Sequence, residues 1–283
     1  MKHILLPTDF SENATNAINY AIGLFKNEEC TFYILHAYHK GTSSIGGGIS
    51  EERNTRLYKD IENKILRNLS HVVDEAKRKS NVKKHQLKTL AIADSLLNAI
   101  GKTVIDKGID FIIMGTKGAT GLQEVFLGSN TAKVIKEIDF CTLIAVPENY
   151  VFNKLNKIVF STGYEHLYEE YELQPFKRIA KLWGSKIIVT HVKNSLQLTP
   201  QQTKAKKVLE KKLKELPYEM VDIDTKLKIV PAITKMVDEN EEIGMIAILD
   251  YWHSTIEKLI HENVVNKMAF NSKVPLLVSH LVE

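Results

Sequence analysis

Residues 2–38, KHILLPTDFSENATNAINYAIGLFKNEECTFYILHAY, decide the fold. KHILLP (2–7) is a short apolar run closed by a proline, the length and composition of a strand. From Ser11 the period changes. Ala14, Ala17, Ile18, Ala21, Ile22 and Phe25 recur every three or four residues, which puts them on one face of a helix over 11–27. Ser11 stands where a hydroxyl can accept a bond from an orphaned N–H of the first turn. TFYILHAY (31–38) then resumes strand composition, and its nearly unbroken apolar character predicts burial on both faces. Strand, helix and strand in this order form a βαβ unit with parallel strands.

The alternation continues. HKGTSSIGGGIS (39–50) is Gly/Ser-rich and reads as a loop. Residues 51–80 predict a long helix with Leu57, Ile61, Ile65, Leu69 and Val72 as its apolar stripe. A strand near 85–91, a helix near 94–107, the strand DFIIMG (110–115), a helix ending near 138 and the strand CTLIAVP (141–147) follow. Five strands separated by four helices predict an α/β domain with a Rossmann-like parallel sheet flanked by helices.

The pattern then repeats. KIVFST (157–162) aligns with HILLPT (3–8), and IIVTHVK (187–193) with FYILHAY (32–38), each with a histidine near the strand end. GMIAIL (244–249) aligns with DFIIMG, and VPLLVSH (274–280) with CTLIAVP. The offsets are 154, 155, 134 and 133. Two divergent copies of one domain are expected, spanning 1–150 and 151–283, with the boundary in ENYVFNK.

Composition excludes several classes. In 283 residues, 44% are hydrophobic and 25% charged, ordinary for a soluble globular protein. No apolar run approaches the roughly 18–20 residues of a membrane span. The opening MKHILLPTDF is too short and too polar for a secretory signal, so the expected location is the cytoplasm. Net charge is +4, spread as 19 basic against 17 acidic residues in each half. The densest basic runs, KRK (77–79) and KAKK (204–207), read as solvated helix faces, and no nucleic-acid partner is expected. Cys30 and Cys141 have no metal or redox spacing and read as small buried hydrophobes opening strands. His36 and His191, on apolar strands, read as hydrogen-bonded core histidines rather than metal ligands.

One stretch stands apart. Residues 115–130, GTKGATGLQEVFLGSN, place Gly115, Gly118 and Gly128 at a spacing of G-x2-G-x9-G, with Ser129 next. The stretch follows a strand, and ligands of open α/β sheets sit at the carboxyl ends of strands. Glycine lets backbone approach a ligand without a Cβ in the way. Gly128-Ser129-Asn130-Thr131 opens the next helix, whose free N–H groups and dipole attract anions, and the two hydroxyls add donors. The stretch therefore reads as a phosphate cradle. It is neither a Walker A loop nor the dinucleotide G-x-G-x-x-G.

The spacing G-x2-G-x9-G-S, with LLPTDFSE (5–12) at the end of the first strand, resembles the ATP-binding branch of the universal stress protein family. The resemblance spans the whole chain as a tandem of two family domains and is fuller in 1–150. It implies one bound ATP, with Mg2+ bridging phosphate oxygens and water, in a regulatory stress-response protein that hydrolyses slowly or not at all. It also implies that the two domains pair through their last strands, with a homodimer and a protein partner of unstated identity left open. By the resemblance, Asp9 contacts adenosine beside Pro7 and Thr8. Ala37 meets the adenine ring through its backbone. Met114 and Gly115 lie beneath the ribose, while Gly118, Gly128 and Ser129 bind phosphate. Asn130 departs from the usual apolar residue, and its main-chain N–H is the working group.

The second copy lacks these features. Asp9 falls on Gly163, Gly128 on His261 and Ser129 on Glu262. A carboxylate at 262 would repel a triphosphate by about 4 kcal/mol at ~4 Å and an effective dielectric of ~20. Residues 151–283 are expected to be a structural partner without ATP. The alternative function is a nucleotide-free interaction module of the same fold. An adenylating enzyme would need S-G-G-x-D-S, or H-x-G-H with K-M-S-K-S, and neither occurs; nor does the nucleophile elbow G-x-S-x-G.

Overall fold

The computed structural model of the chain describes residues 1–39, 51–81, 83–116, 129–192, 197–250, 264–265, 267–269 and 272–280. The N-terminal half contains β1 (Lys2–Pro7), α1 (Glu12–Leu24), β2 (Cys30–Ala37), α2 (Glu51–Lys79), β3 (His85–Ile92), α3 (Leu96–Lys107), β4 (Phe111–Gly115), α4 (Ser129–Glu137) and β5 (Thr142–Val146). The C-terminal half contains β6 (Lys157–Ser161), α5 (Glu170–Trp183), β7 (Lys186–Val192), α6 (Pro200–Leu213), β8 (Tyr218–Ile223), α7 (Ile229–Asp238), β9 (Ile243–Asp250) and β10 (Leu276–His280).

All ten strands join one sheet in the order β3-β2-β1-β4-β5-β10-β9-β6-β7-β8. Within each half every pairing is parallel. The halves meet where β5 and β10 run antiparallel, with Leu276 opposite Ala145, Leu277 opposite Ile144 and Val278 opposite Leu143. The strand order reads the same from either end, so the halves are related by an approximate two-fold axis at this seam. Each covers the other's last edge, leaving β3 and β8 as the outer strands.

The sheet is covered on both faces. One apolar layer packs α1 and α2 together with α5 and α6 against it, including Ile18, Leu69, Phe176 and Leu209. The other packs α3, α4 and α7 together with Val265, Met268 and Ala269. Each layer draws buried residues from both halves. The linker is tied in on both sides: Asn16 Nδ2 donates to the carbonyls of Pro147 and Tyr150, and the Tyr150 hydroxyl donates to the Gly244 carbonyl. Trp183 Nε1 donates across the seam to the Leu24 carbonyl at 2.9 Å. Cys30 opens β2 and Cys141 immediately precedes β5; both are buried and free.

Two boundaries differ from the sequence expectation, and one strand is not located by it. α1 ends at Leu24 rather than 27, because Phe25 leaves helical geometry at φ −102° and ψ 19°. α3 begins at Leu96, two residues late, because Ser95 is extended and caps the helix by accepting from the Asn98 N–H. β8 lies on the outer edge with no fully buried position, so it lacks the continuous apolar run that marks its neighbour β7. Within α2, Ile65, Leu69 and Val72 are buried as expected, while Ile61 is exposed. Of the 39–50 loop, residues 40–50 lie outside the described residues.

A buried histidine on β3 gives the fold a pH dependence. His85 Nδ1 accepts the Asn81 N–H at 3.1 Å, and Nε2 donates to the Phe25 carbonyl at 3.1 Å. Burial, the largest cause, lowers its pKa from 6.5. The unfolded chain therefore takes up this proton near pH 6.5, while the folded chain resists until lower pH. The contribution is fully present above pH 6.5 and is lost as pH falls below it. Urea midpoints should fall between pH 7 and pH 5, with a shallower fall in His85→Gln. Equal slopes in the two proteins would assign the loss to other groups.

Candidate functional site

The site begins with the turn after β1. The Thr8 N–H extends the β1–β2 ladder to the Leu35 carbonyl, and its hydroxyl oxygen accepts the Phe10 N–H at 3.0 Å. Phe10 has φ 66°, in the left-handed region that side chains disfavour. Its ring lies 4.4 Å from that of His36, whose Nδ1–H donates to the Thr8 carbonyl at 2.8 Å. The same turn recurs in the second half. Tyr164 has φ 56°, its N–H bonds the Thr162 hydroxyl, and its ring lies 4.9 Å from that of His191. His191 Nδ1–H donates to the Thr162 carbonyl. The strained turn thus belongs to the fold, since both copies carry it. Asp9 is what differs, and Gly163 stands in its place.

Asp9 does not cap α1. Its Oδ1 accepts the Ser11 N–H at 3.1 Å and the Ser11 hydroxyl at 2.6 Å, while Ser11 Oγ accepts the Ala14 N–H. The carboxylate therefore orients the residue that does the capping.

A cavity of about 520 Å³ opens at the carboxyl ends of β1, β2 and β4. This is where strand order reverses about β1, the position at which open α/β sheets bind ligands. The nine sequence-predicted residues that fall among the described ones all line it: Pro7, Thr8 and Asp9 after β1, Ala37 on β2, Met114 and Gly115 on β4, and Ser129, Asn130 and Thr131 opening α4. Gly118 and Gly128 lie outside the described residues, as do His261 and Glu262.

For two of these residues the structure supplies a different reason. Gly115 does not take a positive φ. A methyl group there would meet the Asn13 amide atoms at 2.5–2.7 Å, so the missing Cβ makes room for α1. Thr131 is buried, and its hydroxyl donates to the Gly115 carbonyl at 2.7 Å. That hydroxyl locks α4 onto β4 rather than serving as a donor to a ligand.

The cavity also contains residues that the sequence reading did not assign to it. Ala14, His36 and His39 line it, as do Asp94, Ser95, Leu96 and Leu97 at the β3–α3 junction, and Lys133 on α4. Applying the strand-end rule to β3 as well as β4 would have found the junction. Lys133 follows Ser129 by four residues, which places it on the same helix face. Asp94 is held below the usual carboxylate range, first by the Asn98 side-chain N–H and then by the Ser95 N–H. The lining therefore carries a carboxylate as well as a helix N-terminus and a lysine.

The corresponding cavity of the second half measures about 150 Å³. Glu165, His166 and Tyr168 line it beside Gly163, and Gln202 Nε2 donates to the Gly163 carbonyl. Among the described residues no group of three or more His, Cys, Asp or Glu side chains could hold a metal, and no helix is long and apolar enough to cross a membrane.

Comparison with known proteins agrees with this architecture. Residues 1–146 match the universal stress protein family. The chain is 28% identical over 163 residues to universal stress protein MJ0577 of Methanocaldococcus jannaschii, covering 52% of this chain and 96% of that one. It is 26% identical over 146 residues to universal stress protein YxiE of Bacillus subtilis, covering 50% and 97%. Across its whole length it is similar in fold to a universal stress protein from Archaeoglobus fulgidus, with a TM-score of 0.65 at 17% identity over 98% of this chain and 96% of that one. With its family match covering just over half its length and its strand ends framing the expected cavity, the chain belongs to the universal stress protein family.

Proposed function

We propose that the N-terminal half binds one adenine nucleotide, ATP by preference, and that the chain acts as an ATP-binding regulatory protein. The observation that carries this reading is the cavity of about 520 Å³ gathering Asp9, Ala37, Gly115 and Ser129 from four separate segments at the sheet's switch point. Its volume lies within the range of small-molecule sites. The base and ribose lie toward β1 and β2. The phosphates lie toward Ser129, Asn130 and the start of α4, where backbone N–H groups are unpaired within the helix. Mg2+, where it accompanies the nucleotide, is held by phosphate oxygens and water, as is usual for this ion. Hydrolysis is slow or nil: Asp9 sits at the nucleoside end and accepts two bonds from Ser11. The C-terminal half, with its smaller cavity and Gly163 for Asp9, binds no ATP and serves as the paired scaffold. Function is expected in the cytoplasm, through a nucleotide-dependent surface read by a protein partner.

The test is direct. Mass spectrometry of the purified protein should detect co-bound adenine nucleotide, and calorimetry should give one site per chain. Saturating ATP at 100-fold over Kd should stabilise the fold by about 2.7 kcal/mol. No thermal shift at millimolar ATP, with no nucleotide retained, overturns the reading. Two sites per chain would overturn the scaffold role of the second half.

A further inference from the structure

We propose that Lys133 reads the charge of the ligand's phosphate chain, making the cavity favour a triphosphate over the monophosphate and the bare nucleoside. The inference rests on the nucleotide reading above.

Lys133 lies one helical turn beyond Ser129, and both line the cavity. It is exposed and has no ion pair among the described residues. Many other lysines of the chain are engaged: Lys2 with Asp110, Lys157 with Glu242, Lys177 with Glu170 and Lys186 with Glu219. The start of α4 presents partial positive charge, which draws an anion to Ser129 but falls off within the first turn. A full charge at Lys133 extends the attraction by one turn, toward the far end of a phosphate chain. The lining also holds the carboxylates of Asp94, after β3, and Asp9, after β1. The two carboxylates repel a polyphosphate laid against them, whereas Lys133 attracts it. At the repeat offset of 133 the second half has Asn266, which carries no charge.

Lys133 is exposed, so replacing it should leave the fold intact, as a matching melting curve would verify. Binding of adenosine, AMP, ADP and ATP to the full chain and to Lys133→Gln should be measured by calorimetry, with and without Mg2+, at low and high salt. ATP affinity should fall about threefold to fivefold in the variant, the size expected for one exposed charge pair. Adenosine affinity should change less than about twofold, AMP and ADP should fall between, and Lys133→Arg should keep most of the wild-type preference. The difference between the proteins should shrink at high salt. If wild-type protein binds ATP and Lys133→Gln weakens adenosine and ATP equally, or neither, this inference fails while the nucleotide reading stands. If wild-type protein binds no adenine nucleotide, both fail.

Discussion

Leu277→Asp should unfold the chain or lower its melting temperature by about 10 °C or more. Leu277 is fully buried on β10, opposite Ile144 across the antiparallel seam and beside Ala247 of β9. An aspartate there has no partner for its charge and must be protonated or drag water into the core. Either outcome costs more than about 4 kcal/mol, a large share of the 5–15 kcal/mol that holds typical domains folded. The apolar layer containing Leu277 draws on both halves, so the loss should reach the N-terminal half as well. Circular dichroism should show one early transition rather than a damaged C-terminal half beside an intact N-terminal one. Leu227→Asp, at a site 46% exposed, is the control and should change stability by no more than about 0.5 kcal/mol. A Leu277→Asp protein melting within a few degrees of wild type would show that the seam contributes little.

Gly115→Ala should cost about 2–3 kcal/mol and weaken nucleotide binding at least tenfold, and Asn13→Ala should restore much of both. The added methyl would overlap three atoms of the Asn13 amide at once, so the side chain must leave its place rather than adjust. Asn13 is buried on the first turn of α1, close to Asp9 and Ser11. Displacing it tilts the turn that holds Asp9 and moves the Gly115 carbonyl on which Thr131 locks α4. Small-to-large changes in packed sites cost roughly 1–3 kcal/mol. In the double variant the methyl occupies the vacated space, and the coupling between the two sites should be about 1–2 kcal/mol in the rescuing direction. Additive effects would mean that Gly115 is present for some reason other than Asn13. Stability lost without any loss of binding would separate this contact from the site.

The alternation of apolar runs was readable because strands buried on both faces, such as FIIMG and TLIAV, need unbroken apolar composition, and helices need a three-to-four spacing. The outer strand β8 escaped because none of its positions is fully buried and its residues form no continuous apolar run. Asp9, Gly115 and Ser129 could be nominated because a strand end followed by a turn or a helix start leaves a local trace. Asp94 and Lys133 left a weaker trace, a second strand end and a position one turn into α4, and only the folded chain shows that both reach the same cavity.

Features that depend on near neighbours are legible along the chain: two copies of a βαβ pattern, the glycine–serine helix start, and the absence of Asp9's counterpart at Gly163. Contacts between distant residues account for the rest. They join the sheets at Ile144 and Leu277, 133 residues apart, give Gly115 its reason in Asn13, and bring Asp94 and Lys133 into the lining of one cavity. The division follows from range: backbone periodicity and capping act within a few residues, whereas packing and cavity shape are set by whichever segments the sheet order brings side by side.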